Sequence, residues 1–579
     1  MAADTQLRID QGNEFEAAIV AQLRTVADPG WVFVDEVDFG ADERRAATAA
    51  AIAARAPVIV GANLSPDFEE KRSGKPDMLV WHGDGYVPVD IKHHMTLDAF
   101  DKGPASFISE LPDPHPAAAT EDPVWQRRRH KGDALQLAHY RRMLQGAGHS
   151  ATDELGGIIG KEGRVVWYRL DEPLWTTPAK SGGRKQKKRT TMEVYDFEFD
   201  FRRDIAAVAH DHIANPDVGL IVEPVLCPDC TICPWLDVCS QSLLAGTGDA
   251  SLLPGVSYRQ WRALRNIGIA DRAGVAALDV RTAHLLAAGV DASRWLDDAI
   301  AADSKTPVEQ LRPKATKQIE ALSSAGMRTA EDVVECIDAQ TARLDRWAAA
   351  AIINARAATG PDPVYRLPGG LVDVPRADIE IDVDMENTND GAYQWGVDVT
   401  DRAATGLVDN GYRAFISWDP ITPEVEQQVF TDFWNWLTDV RRRAAAAGHT
   451  VKAYCWHENA ENTQMLRITA ADADLAAEVK AFIESPDWVD MLQVFRAGWT
   501  TGGSTGLKKI APLAGFEWEV DDPGGGVSML YHARATDPDH PEQTEARQWL
   551  LDYNRGDVEA TLAIREWLDG SDLPDVPVG

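Results

Sequence analysis

The clearest pattern of apolar and polar positions is a pair of apolar runs, residues 78–81 and 86–89, on either side of a polar, glycine-containing stretch. This pattern predicts two strands joined by a tight turn. Residues 131–144 carry apolar side chains at helical spacing, which predicts an amphipathic helix after the strand pair. Residues 377–388 alternate acidic and apolar positions, which predicts a strand with its acids on one face.

The predicted strand pair carries three residues with chemical potential. Asp77 precedes the first run, and Asp90 and Lys92 follow the second. A hairpin would gather these side chains. Two carboxylates at that separation can hold a divalent cation, and a lysine two residues beyond a ligand can position or polarise water. This is the minimum for metal-assisted phosphodiester hydrolysis. The alternative interpretation is an acid-x-Lys tripeptide on a solvated strand.

The predicted helix at residues 131–144 presents Gln136 and Tyr140 on one face, because they are four positions apart. They are either an ordinary surface pair or contacts for the phosphates and bases of a nucleic acid.

Four cysteines follow the pattern C-x2-C-x2-C-x5-C within thirteen residues. They are Cys227, Cys230, Cys233 and Cys239. Closely spaced thiols in a long chain predict a metal site rather than a disulfide framework. Consecutive C-x2-C-x2-C spacing favours a [4Fe–4S] cluster. A structural Zn²⁺ site is the alternative, although zinc usually draws its cysteines as two separated pairs.

Composition limits the classes of partner. The chain has 579 residues, which predicts several domains. Its formal net charge of −33 argues against a protein that coats nucleic acid non-specifically. No apolar run is long enough to span a bilayer, and the first residues do not resemble a signal peptide. We therefore expect a cytoplasmic protein with no membrane partner.

Residues 250–360 are predicted to be largely helical. Gly268 and Gly326 each lie between two helical patterns, which indicates a weak repeat of the helix–hairpin–helix type. Backbone N–H groups at such turns can bind phosphates without reading base sequence. An ordinary helical connector is the alternative. Pro361 and Pro363 then indicate a linker.

Over about residues 8–243, the order of these features resembles the RecB-like branch of the PD-(D/E)xK nucleases, including the CRISPR-associated iron–sulfur exonucleases. The resemblance implies a restriction-endonuclease-like core in which Asp77 and Asp90 bind Mg²⁺ or Mn²⁺. Lys92 would assist the attacking water, and Gln136 and Tyr140 would contact DNA.

The chain departs from that family at two points. Phe15 lies where a metal-ligating histidine is common, so Glu16 or Glu14 would replace it. Many relatives have one cluster cysteine near the N-terminus, but here none precedes Cys227, which would therefore complete the set.

About residues 375–570 resemble the DEDD ribonuclease-H-like 3′–5′ exonucleases. The shared pattern is an Asp-x-Glu strand, an acid in mid-domain and a Tyr-x3-Asp helix, here with Tyr553 and Asp557 one turn apart. The resemblance implies that two metal ions are held by four acids, and that Tyr553 orients the water. The four acids are Asp384, Glu386, Glu461 and Asp557. Asp382 replaces Asp384 if the register shifts by two, and Asp490 is a further candidate.

The order of parts resembles a bacterial family of RecB-like nucleases that carry a ribonuclease-H-like domain at the C-terminus. We therefore predict an α/β multidomain protein with a nuclease domain at 1–243, a helix–hairpin–helix-like connector at 244–365 and an exonuclease domain at 366–579. The expected function is metal-dependent hydrolysis of DNA, at single strands or ends, in repair or in defence against foreign DNA, with a helicase as a candidate partner.

Two other functions stay open. In the first, both nuclease folds are catalytically decayed, and the protein is a DNA-end or helicase-associated binding module. In the second, the C-terminal domain alone acts as an RNA-processing 3′–5′ exonuclease.

Overall fold

A computed structural model describes residues 3–34, 40–99, 105–179, 185–215, 217, 223–370, 373–388, 390–521, 525–570 and 572–578. The chain is mixed α/β and divides into two compact units, Met1–Ile221 and Val222–Gly579. The cysteine segment falls in the second unit, whereas the sequence-based division placed it with the first domain. Among the described residues, no helix combines the length and apolar character needed to span a membrane.

The first unit contains four helices and eleven strands in its described part. The helices are α1 (Ala3–Val26), α2 (Ala41–Ala53), α3 (Lys131–Gly146) and α4 (Thr191–Ala214). The strands are β1 (Val32–Phe33), β2 (Val58–Val60), β3 (Met78–His82), β4 (Gly85–Ile91), β5 (Leu97–Ala99), β6 (Ala105–Glu110), β7 (Thr120–Arg127), β8 (Leu155–Ile159), β9 (Arg164–Arg169), β10 (Trp175–Pro178) and β11 (Gln186–Arg189).

A nine-stranded mixed sheet, in the order β1-β2-β3-β4-β8-β9-β6-β7-β5, forms the centre of the first unit. The predicted strand pair is present as β3 and β4, which run antiparallel and pair as far as His82 and Gly85. Gly83 in the turn has a φ of +62°, a conformation that suits a residue without a Cβ atom.

The two faces of the hairpin pack against different helices. Val80 of β3 packs in a core with α1, and Leu79 packs in a core with Met143 of α3. Side chains along a strand alternate between faces. Asp77 and Asp90 are therefore directed to the same side of the sheet as Leu79, toward α3.

The second unit contains sixteen helices and seven strands in its described part. The helices are α5 (Leu236–Leu243), α6 (Tyr258–Asn266), α7 (Arg272–Ala276), α8 (Val280–Ala287), α9 (Ala292–Ile300), α10 (Val308–Leu311), α11 (Thr316–Ser324), α12 (Ala330–Cys336), α13 (Ala348–Thr359), α14 (Pro423–Ala447), α15 (Asn459–Thr469), α16 (Ala473–Ile483), α17 (Met491–Gly498), α18 (Leu507–Ile510), α19 (Gly525–Thr536) and α20 (Gln543–Gly570). The strands are β12 (Tyr365–Arg366), β13 (Ile379–Asn387), β14 (Ala392–Asp401), β15 (Gly411–Ile416), β16 (Val451–Cys455), β17 (Trp488–Asp490) and β18 (Trp499–Thr500).

The helical segment α6–α13 has its own apolar core. Both predicted helix–glycine–helix turns are present, with φ of +83° at Gly268 and +86° at Gly326. The two turns share a backbone contact. In each, a single antiparallel β-bridge precedes the second helix, between Asp249 and Asp271 in one and between Pro307 and Thr329 in the other. The repeat predicted from sequence therefore recurs in the backbone hydrogen bonding.

A five-stranded sheet, in the order β15-β14-β13-β16-β17, forms the centre of residues 373–578. β13, β14 and β15 pair antiparallel, and β16 and β17 continue the sheet in parallel with β13. The apolar positions of β13 pack on α14. Its acidic positions face the opposite side, where α20 lies, as the hydrogen bonds from Asn554 and Arg565 show.

Candidate active sites

The hairpin in the first unit brings Asp77 and Asp90 together. The register pairs Met78 with Val89, so Asp77 lies across from Asp90. An Oδ2 atom of Asp77 accepts a hydrogen bond from the Ile91 N–H at 2.7 Å. Backbone pairing and this hydrogen bond together hold the two carboxylates on adjacent strands.

Charge in this site is compensated by Lys92. Asp90 is 1% exposed, and its Oδ2 lies 2.7 Å from Lys92 Nζ. Burial, with the neighbouring Asp90 carboxylate, raises the pKa of Asp77 to about 8. Burial alone would lower the pKa of Lys92, but the carboxylates of Asp90 and Asp77 raise it, so Lys92 stays protonated.

Gln136 and Tyr140 lie behind this lysine. Lys92 Nζ donates to Gln136 Oε1 at 3.0 Å, and Gln136 Nε2 donates to the Tyr140 hydroxyl at 2.7 Å. Tyr140 is 6% exposed. The pair that the resemblance assigned to DNA contact thus forms, in this structure, a hydrogen-bonded support for Lys92.

Phe15 and Glu16 take different positions beside the hairpin site. The Phe15 ring packs against His93, with ring centroids 5.2 Å apart. The negative charge of Glu16 contributes to the raised pKa of both Asp77 and Tyr140. Glu16 therefore stays the candidate for an additional oxygen ligand.

Three acids of the second unit converge. Asp384 and Glu386 project from β13, Asp557 projects from α20, and one carboxylate oxygen from each lies within 4.8 Å of the other two. Glu386 is 8% exposed and Asp557 is 5% exposed. Three carboxylates in so small and buried a volume repel one another unless protons or cations intervene.

The pKa values in this group reflect that repulsion. Burial, followed by the charges of Asp557 and Glu386, raises the pKa of Asp384 well above its ordinary value. Burial and the charge of Asp557 raise the pKa of Glu386 to about 8. Burial also raises the pKa of Asp557, although a lysine ammonium partly opposes the shift.

We expect the metal-free protein to lose stability as pH rises from about 4.5 toward 8. A folded-state carboxyl with a raised pKa keeps a proton that the unfolded chain releases. Glu386 and Asp77 therefore both lower the free energy of unfolding as pH rises across this window. Thermal unfolding in a chelator at a series of pH values measures the effect. Glu386→Gln should flatten part of the profile. If Glu386→Gln left the pH dependence of stability unchanged, the raised pKa of Glu386 would be contradicted.

Lys508 is the main cation at the three acids, and sequence patterns did not indicate it. Its ammonium group forms an ion pair with Asp557 Oδ1, and Trp518 Nε1 donates to the same oxygen at 2.8 Å. The ammonium lies 4.3 Å from the centre of the Trp518 ring and 4.7 Å from that of Tyr553. Two aromatic faces therefore hold the lysine against Asp557.

Tyr553 lies beside Asp557, as the i, i+4 spacing predicted. It is 4% exposed and stacks on Trp549, with ring centroids 5.1 Å apart. A hydrogen bond from Tyr553 lowers the pKa of Asp557, while burial raises the pKa of the Tyr553 hydroxyl itself. Tyr553 therefore keeps its proton and acts as a donor.

Asn554 is a second residue that the sequence patterns did not indicate. Its Nδ2 donates to Asp384 Oδ2 at 2.8 Å, and its Oδ1 accepts from the Tyr412 hydroxyl at 2.8 Å. Gly396, the β14 partner of Asp384, leaves space for this side chain, because a Cβ atom there would collide with Asn554. The orientation of Asp384 is thus fixed by two neighbouring elements.

Glu461 lies near the three acids but outside their 4.8 Å group. It is 4% exposed, and its charge contributes to the raised pKa of Asp384. Burial raises the pKa of Glu461 to about 7. Asp490 uses Oδ1 to cap α17 at the Leu492 N–H, at 2.9 Å. One oxygen of Glu461 and one of Asp490 are buried without a hydrogen-bond partner among the described residues.

The register of β13 favours Asp384 over Asp382. Asp382 is 0% exposed and accepts from Arg565 Nη2 at 2.6 Å, and Arg565 also pairs with Glu380. Arg376 pairs with Glu380 as well, at 2.9 Å. These two acids are already compensated by arginines, whereas Asp384 faces other carboxylates.

The structure brings two of the four predicted cluster cysteines together. Cys227 Sγ lies 3.7 Å from Cys230 Sγ, close to the sulfur–sulfur edge of roughly 3.8 Å that a tetrahedral Zn–thiolate site has. Cys233 follows a 3₁₀ turn and Cys239 lies on α5. In the described part of the chain, no three of these thiols lie within 4.8 Å of one another. Both the [4Fe–4S] cluster and Zn²⁺ stay predictions.

No family model, curated protein or solved structure matches this chain.

The donor sets fit divalent ions that prefer oxygen. Asp77 and Asp90 offer a carboxylate pair, and Asp384, Glu386 and Asp557 offer three acids with raised pKa values. Mg²⁺ and Mn²⁺ favour such carboxylate ligands and lower the electrostatic cost of burying them. Both groups of acids are therefore candidate sites for a divalent ion.

Proposed function

We propose that this chain is a metal-dependent nuclease that hydrolyses DNA phosphodiester bonds, with one site in each unit. The observation that carries the proposal is the convergence of Asp384, Glu386 and Asp557, where Asp557 raises the pKa of both other acids and Glu386 raises that of Asp384. The hairpin of Asp77, Asp90 and Lys92 supports the same chemistry independently.

The folds of both units are compatible with this function. A mixed sheet that carries the acids on a central hairpin agrees with the proposed restriction-endonuclease-like core. Three antiparallel strands beside two parallel strands, with acids on the central β13, agree with the proposed ribonuclease-H-like domain. The paired glycine turns at Gly268 and Gly326 agree with a helix–hairpin–helix-like connector that contacts the DNA backbone.

In the hairpin site, Asp77 and Asp90 would hold Mg²⁺ or Mn²⁺, with Glu16 as a further oxygen donor. The ion, when bound, supplies Lewis-acid stabilisation of the phosphate and a water of lowered pKa. Lys92 is protonated and donates hydrogen bonds to the attacking water or to a phosphate oxygen. Gln136 orients Lys92, and Tyr140 orients Gln136.

In the second unit, Asp384, Glu386 and Asp557 would hold the metal ions, and Asn554 fixes the orientation of Asp384. Tyr553 retains its proton and donates it in a hydrogen bond to Asp557, so its hydroxyl oxygen would accept a hydrogen bond from the attacking water and orient it. Lys508 neutralises Asp557, and its ammonium group could instead form an ion pair with a substrate phosphate. Glu461, with one unpartnered buried oxygen, completes the set of acids.

Lys92→Ala is expected to reduce Mn²⁺-dependent degradation by the hairpin site by about 10²–10³-fold, because it removes a charged donor at the reacting phosphate. The measurement uses labelled single-stranded DNA and a chain whose second site is inactivated by Asp384→Asn. Lys480→Ala, at an exposed position of α16, is the matched control and should leave the rate unchanged.

Substrate and outcome distinguish the other functions. Equal inertness of the wild-type chain and both site variants, with DNA binding retained, would favour the binding module. Faster degradation of RNA than of DNA, lost in Asp384→Asn but not in Lys92→Ala, would favour the RNA-processing exonuclease. Labelling the DNA at one end or the other reports polarity in the same assay.

A further inference from the structure

A group of metal-ligating side chains in the first unit lies outside the two acid sites. His94 follows the hairpin, and His130 and Asp133 lie at the start of α3. One ligand atom from each of the three lies within 4.8 Å of the other two. His130 is the N-cap residue of α3 and Asp133 lies in its first turn.

A neutral His94 ring would present its Nε2 atom to a cation. Nδ1 lies 3.1 Å from the Met95 carbonyl oxygen, which can accept only an N–H hydrogen bond. In a neutral ring Nε2 then carries the lone pair, and it faces Asp133 Oδ2 at 3.0 Å. A lone pair and a carboxylate at this distance repel each other unless a proton or a metal ion lies between them.

His130 supplies the second imidazole. Its ring centroid lies 4.2 Å from that of His94, and its Nε2 is buried without a hydrogen-bond partner among the described residues. A buried, unpartnered nitrogen beside a His–Asp pair is the ligand expected of a metal site.

We propose that His94, His130 and Asp133 bind one transition-metal dication of the zinc class. Imidazole nitrogens select such ions over Mg²⁺, which prefers an all-oxygen shell. Three protein ligands leave a fourth position open for water in a tetrahedral site.

The ion would join the two segments that carry Lys92 and Gln136. His94 lies two residues after Lys92, and its backbone N–H donates to the Lys92 carbonyl oxygen at 2.8 Å. His130 and Asp133 open the helix on which Gln136 lies. The bound ion would therefore hold these two segments together and position the Lys92–Gln136 pair. Binding of the ion does not depend on whether that pair takes part in nuclease activity.

Titration of the full chain with Co²⁺, in excess Mg²⁺ to fill the all-oxygen sites, tests the proposal. Tetrahedral Co²⁺ with nitrogen and oxygen ligands gives visible ligand-field bands, whereas cysteine ligands add a thiolate charge-transfer band in the near ultraviolet. A Cys227→Ser background separates these signals. We expect one equivalent of thiolate-free tetrahedral Co²⁺, which Zn²⁺ displaces.

His94→Gln, His130→Gln and Asp133→Asn should each weaken this Co²⁺ binding at least about a hundredfold, since loss of an outer-shell partner alone costs 10–100-fold. His210→Gln, whose side chain is 84% exposed, is the matched control and should bind normally. Circular dichroism confirms folding, and the three variants act as independent tests. A signal absent from the wild type, or retained in all three variants, would show that His94 and Asp133 form only a protonated ion pair.

Discussion

Asp384→Asn is expected to reduce Mn²⁺-dependent degradation by the second site by about a thousandfold, and also to raise the melting temperature of the metal-free protein. The activity is lost because a metal ligand that supports roughly 4 kcal/mol of charge stabilisation is removed. The stability is gained because half-buried Asp384 lies close to Glu386, Asp557 and Glu461, all of which raise its pKa. Asparagine keeps the shape and removes the repulsion.

The two effects are measured separately. Degradation of labelled DNA is followed in a chain that carries Lys92→Ala, so that the hairpin site does not contribute. Melting temperature is measured in a chelator at pH 8, where the repulsion is largest. Glu478→Gln, at an exposed position, is the control for removal of a carboxylate. A lower melting temperature for Asp384→Asn would contradict the electrostatic account of this group.

Arg565→Met is expected to destabilise the second unit by about 3–5 kcal/mol, the usual cost of removing one partner from a buried ion pair. Arg565 is fully buried and bonds to Asp382 and Glu380. Glu380 keeps Arg376 as a partner, so Asp382 becomes the uncompensated charge. Urea denaturation followed by tryptophan fluorescence measures the change.

A neighbouring arginine provides the comparison. Arg555 lies on the same helix, but its side chain is 40% exposed and its 3.3 Å pair with Asp552 is at the surface, so Arg555→Met should cost under about 1 kcal/mol. Adding Asp382→Asn to Arg565→Met should recover part of the lost stability. If the two arginine substitutions lowered the free energy of unfolding equally, the buried ion pairs of Arg565 would contribute no more to stability than the pair of Arg555.

Local patterns predicted local structure well. The hairpin at β3 and β4 was indicated by two apolar runs and a glycine turn, and the acidic strand β13 by strict alternation. The helix α3 and the paired turns at Gly268 and Gly326 were also predicted. In each case the signal depends on residues close together in the chain, where side-chain period and turn chemistry determine the element.

The partners of the site residues were less predictable. Lys508 reaches Asp557 across 49 positions, and Asn554 reaches Asp384 across 170. No periodicity links such distant residues, because the contact depends on the order of strands in the sheet and on the face that α20 covers. For Gln136 and Tyr140, the spacing correctly placed both residues on one face of the helix. It could not show that this face contacts Lys92.

The acidic face of β13 also constrains the order in which the chain can fold. Glu380 and Asp382 receive their shared cation from a residue 185 and 183 positions later. During synthesis, this central strand is complete long before Arg565 has left the ribosome. Contacts this distant in sequence form slowly, and Asp382 is costly to bury before its cation arrives. We therefore expect the sheet of the second unit to reach its native packing only after α20 has been synthesised.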